Sequence, residues 1–122
     1  MGKYVIKESK SGPMFNLKAG NNEIIGTSEI YSSKSACKNG IESVMKNAPK
    51  APIEDQTLAN PEKVSNPKFE IYKDKKGGFR FRLKAGNGET ILTSEGYKSK
   101  DGCKNGIESV KKNADSEIKE EE

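Results

Sequence analysis

Histidine and tryptophan are absent from the 122 residues, and cysteine occurs only twice. Without histidine there is no Ser-His-Asp or Cys-His relay, and the commonest zinc ligand is missing. Cys37 and Cys103 cannot bind a structural metal unaided, so no metal or other cofactor is expected. Leu, Ile, Val and Phe total 22 of 122 residues, a level at which disorder competes with folding. No stretch approaches the ~18 apolar residues of a membrane-spanning helix. The opening MGKYVIKESK lacks the apolar segment of a secretory signal. Ile6 stands where N-myristoylation wants Ser or Thr. These absences lead us to expect a cytoplasmic chain with no membrane segment.

What is present is a repetition. Residues 17–48 and 83–114 align at a constant offset of 66 without a gap, and 24 of the 32 pairs are identical. Internal periodicity of this kind sets architecture before any single residue is weighed. It also argues against disorder, because random polar coil carries no such pattern. Each copy alone is near the lower size limit for a hydrophobic core. One globular domain built from two mutually burying halves follows: repeat 1 over 1–48, a Pro-rich linker over 49–67, repeat 2 over 68–114, and an acidic tail over 115–122. Net charge is +4. The tail contributes −4, with five acids and one lysine, so residues 1–114 carry +8.

Each repeat opens on alternating apolar residues, Tyr4 and Ile6 or Phe69 and Ile71, the signature of a half-buried strand. In the next strand Phe79, Phe81, Leu83 and Ala85 alternate with Arg80, Arg82 and Lys84. The first copy matches more loosely, with Phe15, Leu17 and Ala19 inward and Met14, Asn16 and Lys18 outward. Asn87-Gly88 is a strong two-residue turn signal and Asn21-Asn22 a weaker one. A third strand is expected from Glu23 or Glu89 to about Tyr31 or Tyr97. A helix then closes each unit, with Ser33 and Ser99 as N-caps. Its apolar stripe is Cys37, Ile41, Val44 and Ala48, or Cys103, Ile107, Val110 and Ala114. Gly40 and Gly106 lie on the same stripe and predict a close approach of helix to sheet. Tyr31 and Tyr97 are expected to staple helix to sheet. Glu42–Lys46 and Glu108–Lys112 have the spacing of helical ion pairs. The connector, with four prolines, reads as extended rather than as a further element, although Ile53, Leu58 and Val64 could pin parts of it. The fold class is α+β: a two-layer arrangement of two β-β-β-α repeats, mainly antiparallel, with pseudo-twofold symmetry. The interstrand loops are too short for parallel crossovers.

The strings LKAGNGE, SEGYKSK and GIESVKKNA, with LKAGNNE, SEIYSSK and GIESVMKNA in the first copy, resemble the YegP-like family of small bacterial proteins. The resemblance implies tandem β-β-β-α modules, with single-copy members pairing as dimers. It implies no activity and brings no catalytic residue, because the family has no established biochemical function. Cys37 and Cys103 depart from the small residue expected there.

The remaining candidates are weak as chemistry. Buried small thiols are the simplest reading of the cysteines. The repeated acids Glu23/Glu89, Glu29/Glu95 and Glu42/Glu108 follow from duplication, with no sign of a pocket between them. AGNGE joins strand to strand, so it lacks the helix N-terminus that makes a phosphate loop. The basic strand face is the exception. Arg80, Arg82 and Lys84, with Tyr72 across the hairpin and Lys18 in the first copy, form a candidate anion-binding set, which Lys34, Lys38, Lys100 and Lys104 could extend. Charge beside an aromatic ring suits single-stranded nucleic acid. The leading expectation is a monomeric, non-enzymatic structural or interaction module, an intramolecular pseudo-dimer of unknown partner. The alternative is a nucleic-acid or polyanion-binding module.

Overall fold

The structure, a computed structural model, describes residues 2–60 and 63–120. The chain starts with a hairpin of β1 (Lys3–Ser9) and β2 (Gly12–Lys18), in which Lys3 lies opposite Lys18 and Ser9 opposite Gly12. Period-two alternation sends Tyr4, Ile6, Phe15 and Leu17 to one face, where all four are buried. Asn22, at φ 73°, turns the chain into β3 (Ile24–Thr27). This strand is shorter than the sequence suggests. The Ser28 hydroxyl accepts from the Phe15 N–H and donates to the Glu29 carbonyl, which interrupts the regular ladder before the Tyr31 N–H rejoins the Pro13 carbonyl at 2.8 Å. Helix α1 (Lys34–Asn47) is capped by Ser33, whose Oγ accepts from the Ala36 N–H. At its other end Asn47 donates to the Ser43 carbonyl, and a 3-10 turn at Ala48–Lys50 contains Pro49.

The second copy repeats the plan with β5 (Lys68–Lys73), β6 (Phe79–Lys84), β7 (Thr90–Thr93) and α2 (Lys100–Asn113), the helix capped by Ser99. Asp101 occupies the first turn of α2, where a carboxylate favours the dipole. The halves join edge to edge through β3 and β7, antiparallel, with Thr27 opposite Thr93. Both helices lie on one side of the sheet over a single core. The result is an α+β two-layer domain with a pseudo-twofold axis between β3 and β7.

Two further strands correct the reading of connector and tail. Within the connector, β4 (Ile53–Asp55) pairs parallel with β5; within the tail, β8 (Glu117–Glu120) pairs parallel with β1. The eight-stranded order is β4-β5-β6-β7-β3-β2-β1-β8. The two added strands are equivalent: Ile53 aligns with Phe69, and Ile118 aligns with Tyr4. Each repeat is therefore β-β-β-α-β, and its last strand crosses over to complete the edge of the other repeat. Acids seal the exchange. Asp55 accepts from Lys100 of α2 at 2.9 Å, and Glu120 takes Lys34 at 2.9 Å and Lys38 at 3.4 Å from α1. Tyr4 in β1 donates its hydroxyl to the Ala114 carbonyl behind α2, at 2.7 Å.

The helical glycines permit the close approach that their position suggests. Tyr31 stacks on Phe15, with ring centroids 6.3 Å apart, and Tyr97 stacks on Phe81 at the same separation. A Cβ on Gly40 would collide with the Tyr31 hydroxyl and stand 2.6 Å from its Cζ; one on Gly106 would collide with the Tyr97 hydroxyl and stand 3.0 Å from Phe81. The outer-face pairs Glu42–Lys46 and Glu108–Lys112 do not close.

Two outcomes test this architecture. Gly40→Leu and Gly106→Leu should each cost about 3 kcal/mol, the upper range for overpacking, read as a lower urea midpoint at unchanged slope. Fragments 1–60 and 63–122, expressed separately, should not melt cooperatively as monomers. A cooperative monomeric transition in sedimentation-checked samples of either one contradicts the mutual completion of edges and core.

Candidate functional site: the uncovered sheet face

Both helices lie on one side, so the opposite face of the sheet carries no helix among the described residues, although Val5, Asn16, Glu54 and Glu70 on it are themselves buried. Alternation decides what it shows. Lys3, Val5 and Lys7 come from β1; Met14, Asn16 and Lys18 from β2; Lys68, Glu70 and Tyr72 from β5; Arg80, Arg82 and Lys84 from β6. Glu54 of β4 and Lys119 of β8 extend it to the two edges, and Thr27 and Thr93 meet at its centre. A row of aligned residues runs across all eight strands: Glu54, Glu70, Arg82, Thr93, Thr27, Asn16, Val5, Lys119.

The basic strand face foreseen from the sequence lies here, and its three β6 cations are ion-paired. Arg82 contacts Glu70 at 2.6 Å, Lys84 contacts Glu70 at 3.7 Å, and Arg80 contacts Asp74 at 3.0 Å. Lys68 joins both Glu70, at 3.2 Å, and Glu54, at 2.9 Å. The Arg82 guanidinium lies 4.5 Å from the Tyr72 ring centre, so the expected basic-aromatic pairing forms within the chain. Lys18 shares the face but sits in β2, beyond β7 and β3. Lys34, Lys38 and Lys100 are on the helix side, engaged with the exchanged strands. Sequence reasoning missed Glu54, Glu70 and Asp74. The alternation of β5 could have placed Glu70 opposite Arg82, whereas Glu54 had no visible strand to belong to.

Burial and charge compete at these acids. Burial pushes the Glu70 carboxyl up, but hydrogen bonds from Arg82 and Lys68, with the nearby Lys84 charge, hold it below the usual range. Glu54 accepts from Gln56 at 2.8 Å, from the Val64 N–H at 2.9 Å and from Lys68, which lowers its pKa to about 2. The same bonds tie the connector to the sheet: Val64 is held through its backbone and Ile53 packs on the core, while Leu58 is exposed.

The two thiols lie away from this face. Cys37 and Cys103 are free thiols, fully buried beneath their helices. Burial raises both, Cys103 to about 11, which suppresses the reactive thiolate. Glu95 lines a surface cleft of about 430 Å³ with Glu23, Ile25 and Tyr97; Glu29 is not in it. No helix among the described residues is long and apolar enough to cross a membrane.

The Glu54 carboxyl supplies a pH test with a definite sign. Its pKa falls on folding, from 4.5 to about 2, so its contribution is complete above about pH 4.5 and is lost as pH drops towards 2. Glu54→Gln should therefore be less stable than the parent at pH 7 and should lose less of its urea midpoint between pH 7 and pH 2.5. Parallel pH profiles would contradict the network.

Comparison with known proteins agrees with this duplicated fold. A family model described as "Domain of unknown function (DUF1508)" matches twice, over residues 9–55 and 74–120. Both matches run through the exchanged strand that closes each unit. A UPF0339 protein of Bordetella pertussis is 42% identical over 113 residues, 93% of this chain and 88% of that protein. A UPF0339 protein encoded 5' of the ptx operon in Stutzerimonas stutzeri is 76% identical over 46 residues, 38% of this chain; the match spans 41% of that relative. The solution NMR structure of yegP from E. coli, a protein of unknown function, superposes with a TM-score of 0.80 at 33% identity, covering 98% of this chain and 91% of that one. The chain thus belongs to the DUF1508 (UPF0339) family of YegP-like proteins, as a tandem pair of its domains.

Proposed function

We propose that the protein is a non-enzymatic interaction module and that the uncovered sheet face is its contact surface. The observation that carries this reading is the division of labour between the two faces of one sheet. The helix side holds every large fully buried side chain, and the opposite side offers a broad surface built from eight strands. Its charged end is pre-organised, since Glu70 and Glu54 hold Lys68, Arg82 and Lys84 in place. Side chains already fixed lose less freedom when a partner docks. The inert thiols and the ion-paired acids support a non-catalytic role.

Polyanion binding through Arg80, Arg82 and Lys84 is the second reading. Their internal partners leave each cation less able to gain from an added anion, because the carboxylates already supply the counter-charge.

Position-specific photo-crosslinking in cells checks the leading reading. A crosslinking residue at Thr27 or Thr93 should give discrete high-mass adducts, and one at Asn39 or Asn105 on the helices should not. The reverse pattern would move the contact surface to the helix layer and remove this reading.

A further inference from the structure

The repeats agree closely in their cores and disagree on the uncovered face. The facing lysines Lys68 and Lys84 of the second half have direct equivalents in Lys3 and Lys18 of the first. In the second half Glu70 stands between them, reaching Lys68 at 3.2 Å and Lys84 at 3.7 Å, with Glu54 beside it on the edge strand. In the first half the place of Glu70 is taken by Val5, and the place of Glu54 by Lys119. Two acids have become an aliphatic residue and a further cation.

Lys3 and Lys18 therefore face each other across the strand pair, and among the described residues no carboxylate stands between them; the acid beside them is Glu117 of β8, aligned with Lys3 on the outer side. Like charges directly opposite are destabilising. Among the described residues Lys119 pairs with Glu117, at 3.7 Å, and both side chains are more than half exposed. Val5 is just 6% exposed at the centre of the group. Opposite it, Asn16, itself buried, uses its Oδ1 to accept from the Thr27 hydroxyl. The second half shows what this geometry lacks, a negatively charged oxygen above position 5.

We propose that Lys3, Lys18 and Lys119, around Val5 and Asn16, bind the phosphodiester backbone of a nucleic acid. The proposal rests on the uncovered face being the contact surface, and it places the anion on the opposite half from Arg80, Arg82 and Lys84. Composition favours phosphate over a protein partner. Protein interfaces are depleted in lysine and anchored by aromatic residues and arginine, none of which this patch contains. Phosphate binding needs only cations on an accessible surface. The contacts are to backbone, so binding is independent of sequence.

The test uses the full chain and labelled single-stranded DNA and RNA 20-mers, titrated at several salt concentrations. Three lysine–phosphate contacts predict a slope of log affinity against log salt of about −2. Val5→Glu supplies the carboxylate that Glu70 provides in the other half and should weaken binding at least tenfold. The double variant Lys18→Ala, Lys119→Ala removes one half-buried and one exposed cation, neither of them in the core cluster. It should also weaken binding at least tenfold and flatten the slope to about −0.7. Amide shifts in NMR spectra should centre on Lys3, Val5, Asn16, Lys18 and Lys119. Unchanged affinity in the double variant overturns the proposal, as does absence of binding at low salt. Poly-glutamate binding as tightly as the oligonucleotides points to a carboxylate-bearing protein and overturns it too. Shifts confined to β4, β5 and β6 refute this patch but keep the uncovered face as the contact surface; shifts on the helices refute both.

Discussion

The exchange of terminal strands is the constraint on which the rest of this molecule depends. Each repeat supplies its own hairpin, third strand and helix, then gives its last strand to the other repeat. The contribution is reciprocal, so neither half has a finished edge without its neighbour. Asp55 on Lys100, and Glu120 on Lys34 and Lys38, fix the crossed strands against helix N-termini, where negative charge is favoured. Covering β1 and β5 in this way also removes two long unpaired edges, which would otherwise invite edge-to-edge association.

Mutual completion explains how a chain so poor in large aliphatic residues folds at all. The buried cluster is continuous across both repeats, drawing on Tyr4, Phe15, Leu17 and Ile41 from one and Phe69, Phe81, Leu83 and Ile107 from the other. Two undersized cores become one of adequate depth. The glycines at 40 and 106 serve this economy, because they let the Tyr31 and Tyr97 rings fill the helix–sheet gap. The two copies match closely in this inner layer, whereas on the outer face they keep Lys3/Lys68, Lys18/Lys84 and Thr27/Thr93 and differ at the positions between. Glu70 against Val5, and Glu54 against Lys119, are symmetry-equivalent positions with unlike chemistry. The chemical asymmetry of the two halves resides in such pairs.

Much of the architecture was legible beforehand, and for definite reasons. Strands β1, β2, β5 and β6 alternate at period two, the helices carry stripes at steps of three and four, and Ser33 and Ser99 cap where hydroxyls should. These are local rules, and local rules are written in consecutive residues. The third strands reach Tyr31 and Tyr97 only after a break, because Ser28 and Ser94 bond to the Phe15 and Phe81 N–H groups before Tyr31 rejoins Pro13 and Tyr97 rejoins Phe79, an interruption with no sequence signal. The strands at Ile53–Asp55 and Glu117–Glu120 were invisible because neither alternates in polarity. Backbone pairing to a distant strand and a lysine on a distant helix hold them. The site divides in the same way. Alternation placed Arg80, Arg82 and Lys84 together on one face, but their neutralisation by Glu70 and Asp74 is a matter of geometry.

The amino-acid order by itself determined the duplication, the hairpins and helices, their caps, and which side chains of each element turn inward, since all of these follow from spacing along the chain. Tertiary structure alone decided which repeat receives each closing strand, which cations meet a carboxylate and which are left facing one another. Those outcomes depend on distances between residues far apart in sequence, and electrostatic pairing is set by distance in space.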